Sequence, residues 1–143
     1  MRLRHAWVFA SLALPLLGCE PLTRTRECNA LLDIVNPELE VIAKLAPPAR
    51  RSEPALLRQV AGHYTALGER VGRHTPAEPR LGKSTHELAG IFTETGTALG
   101  ELADTLADPA RKTHITEYRR RVDALATRER TTVTRVNDLC RGR

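Results

Sequence analysis

The side chains of this 143-residue chain best suited to covalent, redox or metal chemistry are three cysteines, Cys19, Cys28 and Cys140, and five histidines. Their spacing excludes most of that chemistry. A covalently attached c-type haem needs Cys-x-x-Cys-His, and no such run occurs; Met/His ligation needs a methionine beyond Met1, and there is none. Carboxylate di-iron bundles need Glu-x-x-His pairs, whereas the residues three before His63, His74, His86 and His114 are Val60, Val71, Lys83 and Arg111. His63 and His86 remain as a bis-histidine pair on neighbouring helices, but exposed or capping roles account for them more simply. No Gly-x-Ser-x-Gly elbow or glycine-rich phosphate loop is present. The acid pairs Glu38 with Glu40 and Glu101 with Asp104 read as solvated helix surface rather than as general acid/base groups. No cofactor or metal is assigned, and the expectation is a protein that is not an enzyme.

Cys19 stands in a different context. Arg2, Arg4 and His5 form a basic start, an apolar run follows from Ala6 to Leu17, and Leu16-Leu17-Gly18-Cys19 closes it. The thirteen residues from Ala6 to Gly18 would rise only about 20 Å as a helix, short of a hydrocarbon core of roughly 30 Å. The segment is therefore a cleavable leader by length, not a membrane span. Leu16-Leu17-Gly18-Cys19 resembles the lipobox of bacterial lipoprotein signal peptides. That resemblance implies a signal peptide over residues 1–18, removed by cleavage after Gly18, and lipidation of the Cys19 thiol by a diacylglyceryl group. Two or more acyl chains anchor a protein stably, at about 0.8 kcal/mol per buried CH2, without a transmembrane helix. The implied partner is the membrane, through Cys19, and the implied location is the cell envelope outside the cytoplasm. Glu20 rather than aspartate follows the cysteine, which favours the periplasmic face of the outer membrane over the inner membrane.

Without residues 1–18 the chain loses Arg2 and Arg4 and no acid, so its net charge falls from +5 to +3. The remaining arginines are interleaved with acids, and Tyr64, Phe92 and Tyr118 are the only aromatic rings left besides histidines. That balance describes a solvated helical surface and argues against nucleic acid, which would need a basic face or stacking platform. It also leaves few of the aromatic walls usual in small-molecule pockets.

The elements that position these residues are helices. Residues 19–26 read as a lipidated tether and 27–143 as one helical domain, with helices over about 25–46, 53–74, 80–107 and 109–141. Cys28, Leu31, Leu32, Val35, Leu39, Ile42 and Leu45 recur at three and four in the first, where Pro37 predicts a kink or restart. Pro47-Pro48 stops it. Ser52 is the expected cap of the second helix, whose seam is Leu57, Val60, Tyr64, Leu67 and Val71; Gly62, Gly68 and Gly72 each weaken it by about 1 kcal/mol. Ser84-Thr85-His86-Glu87 has capping-box spacing at the start of the third helix, although Leu81 suggests an earlier start. Its seam is Leu88, Phe92, Thr95, Leu99, Leu102 and Leu106, and Gly96-x-x-x-Gly100 predicts close helix approach. Asp108-Pro109 opens the fourth, with Ile115, Tyr118, Val122, Leu125, Thr132, Val136 and Leu139 as its seam and its many arginines turned outward. No internal repeat emerges from this reading.

Four helices joined by short connections predict an all-α, antiparallel, up-down-up-down four-helix bundle. That topology puts the start of the first helix and the end of the fourth at one end, where Cys28 and Cys140 meet. An oxidising compartment, implied by the lipobox resemblance, points to the same bond, which would close a loop of about 113 residues and contribute roughly 4 to 5 kcal/mol. Free buried thiols, or a metal held by the pair, are the alternatives. The expected role is a membrane-anchored, non-enzymatic binding or envelope-structural bundle. The alternatives are a ligand or cofactor binder using the bundle interior, and an accessory subunit docking on an envelope protein through its fourth helix.

Overall fold

The computed structural model describes residues 20–45 and 52–142. Four helices follow in order: α1 (Glu20–Leu45), α2 (Pro54–Gly72), α3 (Pro79–Ala107) and, after a 3-10 segment over Pro109–His114, α4 (Ile115–Cys140). They form an all-α four-helix bundle in which each helix packs on its neighbours in the chain and α1 meets α4 along the thinnest of the seams.

The helix boundaries show where local signals were overruled. α1 begins at Glu20, so the stretch expected to be a tether is helical; Pro21 lies in the first turn, where its missing N–H removes no helix bond. Pro37 neither stops nor restarts α1. It is solvent-exposed, so water can take the carbonyl it leaves unbonded. At α2 the capping position belongs to Glu53, with Pro54 as the first helical residue, one place later than the expected Ser52 cap. The capping box at Ser84 does not cap. α3 starts at Pro79, the Glu78 carboxylate accepts the Leu81 N–H, and Ser84 and Thr85 are buried inside the helix. Glu27 of α1 reinforces this earlier start by accepting from the backbone N–H of Ala77 at 2.7 Å. Residues 109–114, expected as the first turns of the fourth helix, are 3-10 instead. They carry no apolar residue larger than Pro109 and Ala110, all six are exposed, and nothing draws an α-turn onto the core.

α2 and α3 are the tightest pair. Gly68 lies against the Ala89 carbonyl and Thr93, and Gly96 lies against the Ala61 carbonyl and Thr65. The two contacts are the same contact made twice, because Ala61-Gly62-His63-Tyr64-Thr65-Ala66-Leu67-Gly68 and Ala89-Gly90-Ile91-Phe92-Thr93-Glu94-Thr95-Gly96 share one pattern, Ala-Gly-x-aromatic-Thr-x-x-Gly. The sequence therefore does contain a short internal repeat, and antiparallel packing turns it into a local two-fold with the Tyr64 and Phe92 rings 6.0 Å apart at its centre. Gly96 fulfils the expectation of close approach; Gly100, its partner in the sequence motif, faces open space.

α3 and α4 are registered by a ladder of ion pairs at seven-residue steps: Glu87 with Arg135 at 2.6 Å, Glu94 with Arg128 at 2.7 Å, and Glu101 with Arg121. Exposed rungs of this kind contribute under about 1 kcal/mol each, so the ladder sets register more than stability. Three of the arginines expected on the outer faces of the fourth helix are its donors, about half exposed.

Two apolar clusters make the core. The first, at the end where α1 begins and α4 finishes, gathers Leu31, Val35, Leu67, Leu81, Phe92 and Val136 beside Cys28. The second, at the opposite end, gathers Ile42, Leu57, Val60, Leu99, Leu102 and Ala103. Leu39 and Tyr64 lie against both clusters.

Candidate functional site

Cys28 and Cys140 stand at disulfide distance, with Cα atoms 5.8 Å apart, as the antiparallel topology requires. They clamp α1 to α4 at one end only. Towards the other end, the face that α4 turns to α1 carries Arg119, Asp123, Ala126 and Glu129, spaced four, three and three along the helix. Charged heads stay with water and alanine is short, so none of these fills the seam opposite Ile42 and Ala43. A cleft of about 520 Å³ remains. Its walls are apolar, formed by Leu57 and Val60 of α2, Leu99, Leu102 and Leu106 of α3 and Val122 of α4. The volume falls in the range of small-molecule sites, and the wall is aliphatic rather than aromatic.

Three of the polar side chains lining the cleft, Tyr64, Thr95 and Glu129, lie close together along the bundle axis. Because α3 and α4 run antiparallel, one residue beyond the Glu94–Arg128 rung on each helix sets Thr95 and Glu129 about 3 Å apart along that axis, and the Gly96 contact with Ala61 and Thr65 sets Tyr64 beside Thr95. Leu39 of α1 and Tyr64 pack against both apolar clusters.

Thr95 is 5 % exposed, and its hydroxyl has no hydrogen-bond partner among the described residues. Its neighbours behave differently. Thr65, Thr93, Thr97 and Thr105 each donate to the carbonyl four residues earlier. A buried hydroxyl left unsatisfied costs about 1–3 kcal/mol, so this one is either a liability or a reserved contact. Glu129 is half-buried, and burial pushes its carboxyl above the ordinary range, with the adjacent Arg130 opposing that shift. No cation holds it among the described residues. Arg128 is turned to Glu94, and Arg130 to the Thr127 hydroxyl.

The other candidates of the sequence fall elsewhere. Cys19, with the leader before it, lies outside the described residues. His63 and His86 are not brought together: His63 lies level with Gly96, and His86 is ten residues, about 15 Å, further along α3. His63 Nδ1 instead bonds Glu38, whose second carboxylate oxygen takes Arg70 of α2. Burial raises the Glu38 carboxyl, but these two bonds outweigh it and hold the group below the usual carboxylate range. Of the acid pairs, Glu40 takes Lys44 at 2.7 Å, Glu101 takes Arg121, and Asp104 takes Arg58 at 2.9 Å. They are structural counter-charges. Among the described residues no cluster of three metal-ligating side chains occurs, and no helix is long and apolar enough to cross a membrane.

Glu129 was legible in one respect. The α4 seam steps by three and four except between Leu125 and Thr132, and the position that restores the rhythm is Glu129. A charge at a core position of a bundle helix was the signal. Comparison of the chain with family models, with curated proteins and with solved structures finds no match.

Proposed function

We propose that the protein is a lipid-anchored, extracytoplasmic binding protein, without an enzymatic activity of its own, that takes a small apolar or amphipathic ligand into the cleft between α1 and α4. The single observation that carries the binding half is a cleft of about 520 Å³ with largely apolar walls, lined also by a buried hydroxyl and a carboxylate that have no partner among the described residues. A bundle with a merely structural role would gain stability by closing that seam with leucine.

The anchoring half rests on Leu16-Leu17-Gly18-Cys19. It is supported by where the anchor would join the fold. α1 starts directly after Cys19 and runs 26 residues, about 39 Å, to Leu45. An anchor at Cys19 thus holds the clamped end of the bundle to the membrane, on the outer-membrane periplasmic side by the identity of residue 20, and the cleft lies in the half of the bundle away from it. Oxidation of Cys28 and Cys140 after export would staple α1, which packs least extensively, to α4.

Mass spectrometry of the protein purified from native membranes tests the anchor: the N-terminal peptide should begin at Cys19 and carry the diacylglyceryl mass, and Cys19→Ser should abolish it. An intact leader or an unmodified thiol would remove this half. Binding is tested by displacement of an apolar fluorescent probe from the intact protein and from Ala126→Trp, which fills the cleft. Equal probe binding by both, with the fold unchanged, would remove the other half.

A further inference from the structure

We infer that the ligand of the cleft is an amphipathic amine, whose ammonium group pairs with Glu129 and whose apolar body lies along Leu99, Leu102 and Val122. This rests on the reading of the cleft as a binding site and adds the chemistry of its occupant.

Charge complementarity sets the sign of the head group. Among the described residues the charged side chains lining the cleft are Arg119, Asp123 and Glu129, a net charge of minus one when all are ionised. Glu38, Glu40, Glu87, Glu94, Glu101 and Asp104 all hold a cation from this chain. Among the described residues no cation forms an ion pair with Glu129, although arginines flank it on both sides: Arg128 is turned to Glu94 and Arg130 to Thr127, and Arg130 acts on it only through space. The one arginine that shares the cleft, Arg119, lies ten residues and about 15 Å further along α4. A cation arriving with the ligand is the missing partner.

Thr95 supplies the second contact. Its hydroxyl, buried and without a partner among the described residues, lines the same cleft as Glu129, about 3 Å from it along the bundle axis, and can accept an ammonium N–H. The apolar walls fix the rest of the molecule, because a compact hydrated cation would gain nothing from Leu99, Leu102 and Val122. The distance from Glu129 to Arg119 sets the length of the body at about 15 Å, that of a medium alkyl chain. A fatty-acid anion fits the same walls but would put its head against Glu129, or reverse and meet Arg119 at the mouth.

The experiment is isothermal titration of the Cys19→Ser protein in detergent-free buffer at neutral pH with three probes of one chain length, dodecylamine, dodecanol and dodecanoate, each below micelle formation. The amine should bind about tenfold more tightly than the alcohol, the worth of one charge-assisted hydrogen bond. Glu129→Gln should bring the amine down to the affinity of the alcohol for the same variant, and Ala126→Trp should block both. Equal binding of amine and alcohol, or preference for dodecanoate, overturns the amine assignment while leaving the apolar cleft in place. Failure of all three probes overturns the cleft as a site as well. Should Ala126→Trp fail to fold, judged by circular dichroism, the Glu129→Gln comparison still decides.

Discussion

A single methyl group added at Gly90 and at Gly96, six residues apart on α3, should change stability in opposite directions. At Gly90 a Cβ meets nothing within 4 Å, so Gly90→Ala should gain the helix-propensity difference, about 0.5–1 kcal/mol. Gly96→Ala makes the same intrinsic gain, but its Cβ would stand 2.8 Å from the Ala61 carbonyl oxygen and 3.0 Å from the Thr65 nitrogen. Both are α2 backbone atoms, and the Thr65 hydroxyl crowding the same spot is held by its own bond to Ala61 at 3.0 Å. Relief requires α2 to move, and overpacking of this kind costs about 1–3 kcal/mol. Because the propensity terms cancel between the two variants, their difference measures the overpacking directly. Gly68→Ala should repeat the result from the other helix, with the Ala89 carbonyl at 2.9 Å. The double variant should cost less than the sum, since helices parted at one site have room at the other. Urea denaturation followed by far-ultraviolet circular dichroism gives each value. Gly96→Ala as stable as Gly90→Ala would refute the close α2–α3 approach.

Three further outcomes follow from the same geometry. Replacing both Cys28 and Cys140 by alanine should lower stability by up to about 4 to 5 kcal/mol, and hydrogen exchange should quicken first in α1, which has the thinnest packing; uniform loss of protection would contradict that distribution. Glu38, with its folded pKa depressed, contributes stability that is complete above the unfolded value of 4.5 and is lost as pH falls through the lower folded value. Glu38→Gln should therefore flatten the acid limb of the stability profile, and an unchanged limb would show the His63 and Arg70 bonds to be idle. Glu129 has the opposite sign: its folded pKa is raised, so the folded state is favoured while the group is protonated and loses that advantage as pH rises from about 4.5 through the folded value. Glu129→Gln should accordingly raise the melting temperature at neutral pH while losing the amine preference, a trade of function for stability. A lower melting temperature would mean that Glu129 already has a cationic partner.

The sequence by itself determined the number of helices, their order, their antiparallel course and the meeting of Cys28 with Cys140. These depend on local signals, apolar spacing at three and four and proline stops, and on connections too short to allow another path. It also put Thr95 in the α3 seam. The tertiary structure decided what local periodicity does not encode, the rotation and register of one helix against another. Ser84 looks like a cap until Glu27 and Glu78 are seen to start α3 earlier; Arg121, Arg128 and Arg135 look like free surface charge until Glu101, Glu94 and Glu87 are found opposite. Gly62 with Gly90 and Gly68 with Gly96 occupy matching places in the repeat, but only the packing shows that the second pair faces the partner helix and the first does not. The cleft is of the same kind. Glu129 stands at a core position of α4, but whether a charge there is buried, paired or left facing an open seam depends on what α1 and α3 place across from it.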